Sequence, residues 1–150
     1  MSAGVRSEIE IAAPAEAVWA TVMNPYRLGE WVTTHRGLGH GTPPRLGEGS
    51  RFEQDLNVAG ASFRVRWTVT EFDPPRSVTW SGDGPGGSTA SVRYVLDRRE
   101  GATLFAYENS FQLPGGPLGR IAKHTVGDRV ARREARRTLR NLKRLVESGS

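Results

Sequence analysis

Polar and apolar residues alternate along most of the chain before residue 113. Residues 7–12, with the sequence SEIEIA, alternate as a strand does when one of its faces is buried. Five further segments with strand composition follow at residues 51–58, 61–72, 77–81, 89–98 and 103–113. The turns between them are short and rich in glycine, proline and aspartate, so the pattern predicts an antiparallel meander.

The two-residue period assigns each side chain of these segments to a face of the sheet. In segment 61–72, residues 63, 65, 67 and 69 are apolar, while arginines and threonines occupy the other side. We expect the apolar side to face the core. The same rule turns these residues inward: Phe52, Gln54, Leu56, Val58, Phe63, Val65, Trp67, Val69, Val78, Trp80, Val92, Tyr94, Leu96, Phe105, Tyr107, Asn109 and Phe111. The last strand has a less defined register, because Leu104 and Ala106 are also apolar.

Two short helices are predicted between the first strand and the meander. Pro14 suits the first turn of a helix, Glu16 suits its positive end, and Asn24-Pro25 ends it. A second helix is predicted over YRLGEW, residues 26–31. Residues 32–50 are rich in glycine, proline, threonine and histidine, which predicts an irregular loop over one end of the fold.

A long amphipathic helix is predicted from about residue 118 to about residue 146. At 100° per residue its apolar and small residues fall within one arc of about 120°. They are Ala131, Ala135, Thr138, Leu139, Leu142, Leu145 and Val146. The adjoining arc carries Arg129, Arg132, Arg133, Arg136, Arg137, Arg140, Lys143 and Arg144. A helix with this pattern lies with its apolar stripe on a sheet and its basic arc in water.

Composition limits the class of protein. With 150 residues, of which 37% are hydrophobic and 25% charged, the chain fits one folded domain over residues 1–150. It has no cysteine, which excludes disulfides, thiol nucleophiles and cysteine-ligated metals. No apolar run approaches the roughly 18 residues of a membrane span, and the N-terminus lacks the apolar core of a signal peptide. We therefore expect a cytoplasmic protein.

The excess positive charge lies in the C-terminal part of the chain. Residues 1–119 contain 11 Lys or Arg and 13 Asp or Glu, whereas residues 120–150 contain 10 and 3. The basic arc is then a solvated outer face, a face that docks on an anionic membrane while the fold carries a lipid, or a nucleic-acid surface. The arc lacks the aromatic residues that stack on single strands, so no nucleic-acid partner is expected.

The predicted order of one strand, two short helices, five strands and one long helix resembles the START-like (Bet v 1-like, SRPBCC) superfamily. Three stretches carry the likeness: EIEIAAPAEAVWATVMNPYRLGEW at the start, WTVTEFDPPRSVTW around residues 73–76, and ENSFQLPGG followed by ARREARRTLRNLKRLVE. They are most similar to the bacterial polyketide cyclase/dehydrase branch of that superfamily. The resemblance covers nearly the whole chain.

The resemblance implies an α+β helix-grip fold. In this fold a curved antiparallel sheet of six to seven strands wraps a long C-terminal helix, and two short helices follow the first strand. Members bind or transform hydrophobic small molecules such as lipids, sterols, quinones and polyketides in a cavity between sheet and helix. A hydrophobic ligand is therefore expected, and a cofactor-independent cyclisation or dehydration is an open hypothesis. No cofactor is implied, and no invariant catalytic motif transfers.

Inward-facing residues would supply the ligand contacts in such a cavity. The candidates are Trp31, Gln54, Phe63, Trp67, Trp80, Tyr94, Phe105, Tyr107, Asn109, Ala131 and Ala135. Aromatic rings suit flat unsaturated ligands, side-chain amides can orient a carbonyl or hydroxyl, and small alanines leave room. The same residues could instead fill a solid core, because periodicity does not separate a packed interior from a hollow one.

A candidate acid/base pair lies on the N-terminal extension of the apolar stripe. His124 and Asp128 are four residues apart, so their side chains can touch on one face of a helix. A carboxylate raises the pKa of a neighbouring imidazole and orients it, as proton transfer requires. With Tyr107 and Asn109 opposite, an aldol-type cyclisation or a dehydration could take place there. The alternative is that His124 only decorates the first turns of the helix.

Two further motifs are not expected to form sites. Residues 82–87, GDGPGG, match the pattern GxGxxG, but a strand rather than a helix is predicted to follow, which excludes a dinucleotide site. His35 and His40 lie among glycines without helical spacing or a nearby cysteine, so no metal site is expected.

Overall fold

The computed structural model describes residues 3–58, 60–112 and 128–149. Within these ranges seven antiparallel strands form one sheet in the order β1-β7-β6-β5-β4-β3-β2. The strands are β1 (Ala3–Ile11), β2 (His35–Leu38), β3 (Arg51–Val58), β4 (Ala61–Asp73), β5 (Ser77–Asp83), β6 (Thr89–Arg99) and β7 (Ala102–Gln112). The α-helices are α1 (Ala15–Val22), α2 (Leu28–Trp31) and α3 (Asp128–Glu147), with short 3-10 helices at Pro25–Arg27 and Pro85–Gly87.

The predicted α+β helix-grip fold is confirmed: a curled antiparallel sheet carries a long C-terminal helix and two short early helices. β1 begins four residues earlier than predicted, at Ala3, because its first residues pair with the end of β7. The prediction of an irregular loop over residues 32–50 was wrong at β2. This four-residue strand has a register shift between His35 and Gly37 and no alternation of its own, so its pairing with β3 makes it a strand.

Within the glycine-rich residues 82–87, Gly82 and Asp83 end β5 and residues 84–87 lie in the turn to β6, and this strand follows as predicted. Gly82 also has a packing role at the end of β5. A Cβ atom on this glycine would lie 2.6 Å from Val65 Cγ1 and 2.7 Å from Trp67 Cε3. The missing side chain therefore gives the Trp67 ring its place over the inner face of the sheet.

The predicted inner face of the sheet is confirmed. In β4 the side chains of Val65, Trp67 and Val69 are buried, whereas the arginines between them are exposed. The register of β7 is now defined, because Phe105 is completely buried and Tyr107 lies two residues further along the same face. These side chains form the core together with α1, α2 and α3.

The two predicted arcs of the long helix are confirmed where α3 is described. Its buried stripe consists of Ala135, Thr138, Leu139, Leu142 and Val146. The arginines of the basic arc are exposed. The predicted helix began near residue 118, but residues 113–127 lie outside the described part of the chain.

Hydrogen bonds hold the C-terminal end of α3 against the end of β1. Lys143 Nζ donates to the carbonyl oxygen of Glu10 over 2.8 Å, and the carboxylate of Glu147 accepts from the backbone N–H of Ala12 over 2.7 Å. The bond from Ala12, with Lys143 alongside, holds the pKa of Glu147 below its ordinary value. The charged carboxylate is thus part of the helix attachment.

A second group of hydrogen bonds joins α3 to the segment that follows α2. The hydroxyl oxygen of Thr138 accepts from the backbone N–H of Thr33 over 3.2 Å, and Glu134 accepts from the Thr33 hydroxyl. Asn141 Nδ2 donates to the carbonyl oxygen of Trp31 over 3.2 Å. These contacts place Trp31 between α3 and the sheet.

Candidate functional site

Aromatic side chains form a continuous wall on the inner face of the sheet, with Tyr94 at its centre. The ring of Tyr94 lies 5.8 Å from that of Trp31, 5.3 Å from Trp80 and 5.3 Å from Phe105. It also stacks on Tyr107 at 6.0 Å. Tilted and edge-on ring pairs at these distances stabilise the fold beyond the area they bury. Trp67 and Phe52 extend the wall through their contacts with Trp80.

The middle of this wall is tightly packed. Trp31 and Trp80 are 1% and 2% exposed, and the Nε1 atoms of both have no hydrogen-bond partner among the described residues. An unpaired buried donor costs about 1–3 kcal/mol. Packing of the rings outweighs that cost, so this part of the interior behaves as core.

Burial of the inward side chains decreases along the strands toward one end of the sheet. In β7 Phe105 is fully buried while Asn109 is partly exposed, and in β1 Ile11 is fully buried while Val5 is partly exposed. Strand register pairs Val5 with Asn109, Ser7 with Tyr107 and Leu56 with Phe63 among the partly exposed inward residues that define this end. They are Val5, Ser7, Leu56, Phe63, Ala90, Tyr107 and Asn109. We call the end that these residues define the open end, and the opposite end with Ile11, Leu96 and Phe105 the closed end.

Tyr107 and Asn109 are paired polar groups at the open end. Asn109 Nδ2 donates to the Tyr107 hydroxyl oxygen over 3.0 Å. Burial raises the pKa of Tyr107 to about 12, so the phenol is neutral at physiological pH and keeps its hydrogen. The pair therefore offers a hydroxyl donor and an amide acceptor, Asn109 Oδ1, next to apolar side chains.

A hydrogen-bonded relay of three side chains links the aromatic wall to β2. Trp67 Nε1 donates to Gln54 Oε1 over 2.9 Å, and Gln54 Nε2 lies 2.9 Å from His35 Nδ1. Gln54 and Trp67 are buried, and His35 is partly buried. In the sheet His35 pairs with Leu56, which places it at the open end.

Donor and acceptor chemistry fixes the direction of this relay. An indole nitrogen can only donate, so the oxygen of the Gln54 amide must face Trp67 and its nitrogen must face His35. Gln54 then donates to His35 Nδ1, which must carry a lone pair. The neutral imidazole of His35 consequently has its proton on Nε2.

Charged neighbours on β2 and β3 shift the pKa of His35 in opposite directions. Partial burial lowers the pKa of His35, the carboxylate of Asp55 opposes that shift, and Arg36 adds to it. Asp55 is itself bound to Arg64, whose Nε donates to Asp55 Oδ1 over 2.7 Å, and this holds the pKa of Asp55 below its ordinary value. The structure therefore favours the neutral form of His35.

The predicted ligand contacts divide by their place in the interior. Buried in the wall, or on the sheet-facing side of α3 in the case of Ala135, are Trp31, Gln54, Trp67, Trp80, Tyr94, Phe105 and Ala135. At the open end are Phe63, Tyr107 and Asn109. The side chains of Ala131 and Asp128, and all of His124, lie outside the described residues. Contact of these residues with a ligand, and proton transfer by His124 and Asp128, stay predictions.

His35 was not predicted as a partner of Gln54. The sequence singled it out only as one of two histidines in a glycine-rich segment. Its place next to Gln54 depends on the pairing of β2 with β3, and no alternation of polar and apolar residues in the sequence predicts that pairing. In the part of the chain that is described, no group of three or more His, Cys, Asp or Glu side chains is arranged to hold a metal ion.

A concavity with a volume of about 380 Å³ lies on the outer, convex face of the sheet. Its charged side chains are paired with one another: Arg6 Nε donates to Glu108 over 3.1 Å, and Arg93 lies 3.6 Å from Glu71. Such self-neutralised pairs are typical of a solvated sheet surface. We therefore place the candidate site on the concave face.

Comparison with known proteins agrees with this architecture. Residues 2–147 match the family described as "Polyketide cyclase / dehydrase and lipid transport". The uncharacterized protein Rv1546 of Mycobacterium tuberculosis is 30% identical over 128 residues, which cover 83% of this chain and 88% of that protein. A protein named Toxin Rv0910 from the same organism is 27% identical over 121 residues, covering 79% and 84%. The crystal structure of the Zhui aromatase/cyclase from Streptomyces sp. R1128 superposes with a TM-score of 0.77 at 16% identity, covering 98% of this chain and 94% of that chain.

None of the helices in the described ranges is long and apolar enough to cross a membrane.

We expect the free energy of unfolding to decrease as the pH falls below 6.5, the ordinary pKa of histidine. The pKa of His35 is lowered in the folded protein, so the unfolded chain takes up a proton at a pH where the folded protein does not. Protonation of His35 in the unfolded chain therefore has little effect on the free energy of unfolding above pH 6.5. It decreases that free energy as the pH falls toward the lower pKa that His35 has in the folded protein. In His35→Phe the loss between about pH 7.5 and about pH 5 should be smaller, measured by urea unfolding.

His40→Phe is the matched control, because His40 lies nearby and is exposed. It should keep the wild-type loss of stability. An equal loss in His35→Phe and in the wild type would contradict the neutral relay.

Proposed function

The chain belongs to the polyketide cyclase/dehydrase and lipid transport family, and from that membership we propose that it binds a polyketide-, lipid- or quinone-like molecule. The ligand would lie between the concave face of the sheet and α3, with access from the open end. The observation that carries this proposal is the graded burial of the inward side chains. On the inner faces of β1 and β7, Ile11 and Phe105 are fully buried, whereas Val5, Ser7, Tyr107 and Asn109 are partly exposed, and this difference supports the proposal.

The side chains around the open end indicate the chemistry of such a ligand. Phe63, Leu56 and Val5 offer apolar surface, and the rings of Tyr94 and Tyr107 stack on each other on β6 and β7. Flat unsaturated molecules fit aromatic walls of this kind. Tyr107 and Asn109 suit one or two polar atoms on the ligand. The name of the relative Toxin Rv0910 identifies no ligand.

Cyclisation or dehydration of the ligand remains a separate hypothesis. Its predicted acid/base residue, His124, and the carboxylate of Asp128 lie outside the described residues. The described side chains argue for binding, which requires only an apolar space with a few polar contacts.

The substitution Ala135→Leu tests whether this space exists. Ala135 is a small residue on the buried stripe of α3. If the interior beside it is open, leucine should fill the space, leave the melting temperature unchanged or higher, and reduce ligand occupancy more than about tenfold. In a packed core the added atoms would instead cost about 1–3 kcal/mol.

Native mass spectrometry of freshly purified protein, followed by organic extraction, measures occupancy. The wild type should carry an apolar small molecule, and Arg136→Leu, an exposed change on the same helix, should carry it to the same extent. Wild-type protein that is free of any extractable apolar molecule, combined with a destabilised Ala135→Leu variant, would contradict the proposal.

A second candidate function is transfer of a lipid at an anionic membrane, and the exposed arginines of α3 favour it. Arg137 and Lys143 pair with Glu134 and Glu147 on the same helix. The other arginines of the basic arc are exposed and form no ion pair with a described residue: Arg129, Arg132, Arg133, Arg136, Arg140 and Arg144. Each basic residue near an anionic bilayer contributes about 1 kcal/mol to docking.

Replacing Arg133, Arg136 and Arg140 by glutamine should abolish co-sedimentation with phosphatidylserine vesicles at low salt. Neutral phosphatidylcholine vesicles should not bind either protein. The matched control replaces Arg6, Arg64 and Arg98, which are exposed but ion-paired, and changes net charge equally. Equal loss of binding in both triple variants would show attraction by net charge alone and would contradict docking through α3.

A further inference from the structure

His35 is a polar residue at the open end, and it is not one of the ligand contacts proposed above. Its Nδ1 atom accepts from Gln54, so its proton is on Nε2. Among the residues that the structure describes, none accepts a hydrogen bond from that Nε2 atom. The ring is only partly buried, so the donor can be reached.

Gly29 of α2 is the glycine next to the Nε2 side of the ring. A Cβ atom on Gly29 of α2 would lie 3.5 Å from His35 Cδ2, the carbon bonded to Nε2. Because Gly29 has no side chain, this position of α2 places no side-chain atom beside this edge of the imidazole. On β3, the neighbours of His35 are Gln54 and Leu56, of which Leu56 belongs to the open end.

We propose that His35 Nε2–H is the hydrogen-bond donor by which the open end recognises a carbonyl oxygen on an otherwise apolar ligand. The inference rests on the proposed function and specifies its ligand as an aromatic or polycyclic ketone. Trp67 and Gln54 are positioning residues, because together they keep the lone pair of His35 on Nδ1. A ketone oxygen only accepts, so it matches a group that is fixed as a donor. A hydrocarbon of the same shape has no acceptor atom, so it forms no hydrogen bond with His35.

The probes 9-fluorenone and fluorene share one flat tricyclic skeleton and differ by a carbonyl in place of a methylene group. Titration calorimetry at about pH 8, where histidine is neutral, should show fluorenone binding the wild type about three- to tenfold more tightly than fluorene. In His35→Phe this ratio should fall to about one, while the affinity for fluorene changes less than about twofold. His40→Phe, the same change at an exposed histidine, should keep the wild-type ratio.

The positioning role has a readout that does not depend on ligand binding. Nitrogen-15 NMR of the wild type should show the His35 ring with a protonated Nε2 and an unprotonated Nδ1. Gln54→Leu should lose this single-tautomer signature and lower the preference for fluorenone. If Gln54→Leu does not fold, Trp67→Phe removes the indole N–H that orients the amide and should have the same two effects.

The outcomes separate the two proposals. If neither probe binds the wild type, the apolar ligand site is wrong and the role of His35 falls with it. If fluorene binds but fluorenone has no advantage, or if the advantage survives in His35→Phe, only the role of His35 is overturned. A proton on Nδ1 in the wild-type spectrum would overturn it as well.

Discussion

A single helix faces a sheet much wider than itself, and the rest of the structure follows from that mismatch. Seven strands spaced about 4.8 Å apart span roughly 30 Å before curvature, whereas a helix with its side chains is about 10 Å across. In its described part, α3 lies nearest to β1 and α2. Curvature of the sheet, large side chains and a ligand are the means by which such a face can be covered.

Large aromatic side chains cover the concave face in the middle of the sheet and at the closed end. Tyr94 contacts rings from α2, β5 and β7, and the Nε1 donors of Trp31 and Trp80 have no hydrogen-bond partner in the described part of the chain. The hydrogen bonds of Lys143 and Glu147 attach α3 at the closed end of β1. Toward the open end the inward side chains, which include Phe63, Tyr107 and Asn109, are partly exposed. The closed end is thus the more fully packed part of the interior.

Alternation of polar and apolar residues predicted the inner faces of β3 to β7, because each of these strands keeps one face in water. It missed β2, whose four residues become a strand only through pairing with β3. The relay from Trp67 through Gln54 to His35 could not be predicted for the same reason, since its partners meet through that pairing. Alternation also could not separate the packed wall from the open end, because Tyr94 and Tyr107 both face inward but differ in burial. His124, Asp128 and Ala131 fall on residues or side chains outside the described part.

Diffraction from crystals pressurised with xenon tests most directly whether the interior beside α3 is an apolar space. Xenon occupies apolar cavities without hydrogen bonds or a particular ligand shape. We expect xenon atoms between the sheet and α3, in contact with Phe63, Tyr107 or Ala135 and away from the closed end. Xenon found only on the outer surface, with the interior at the open end filled by protein side chains, would contradict a ligand-binding interior.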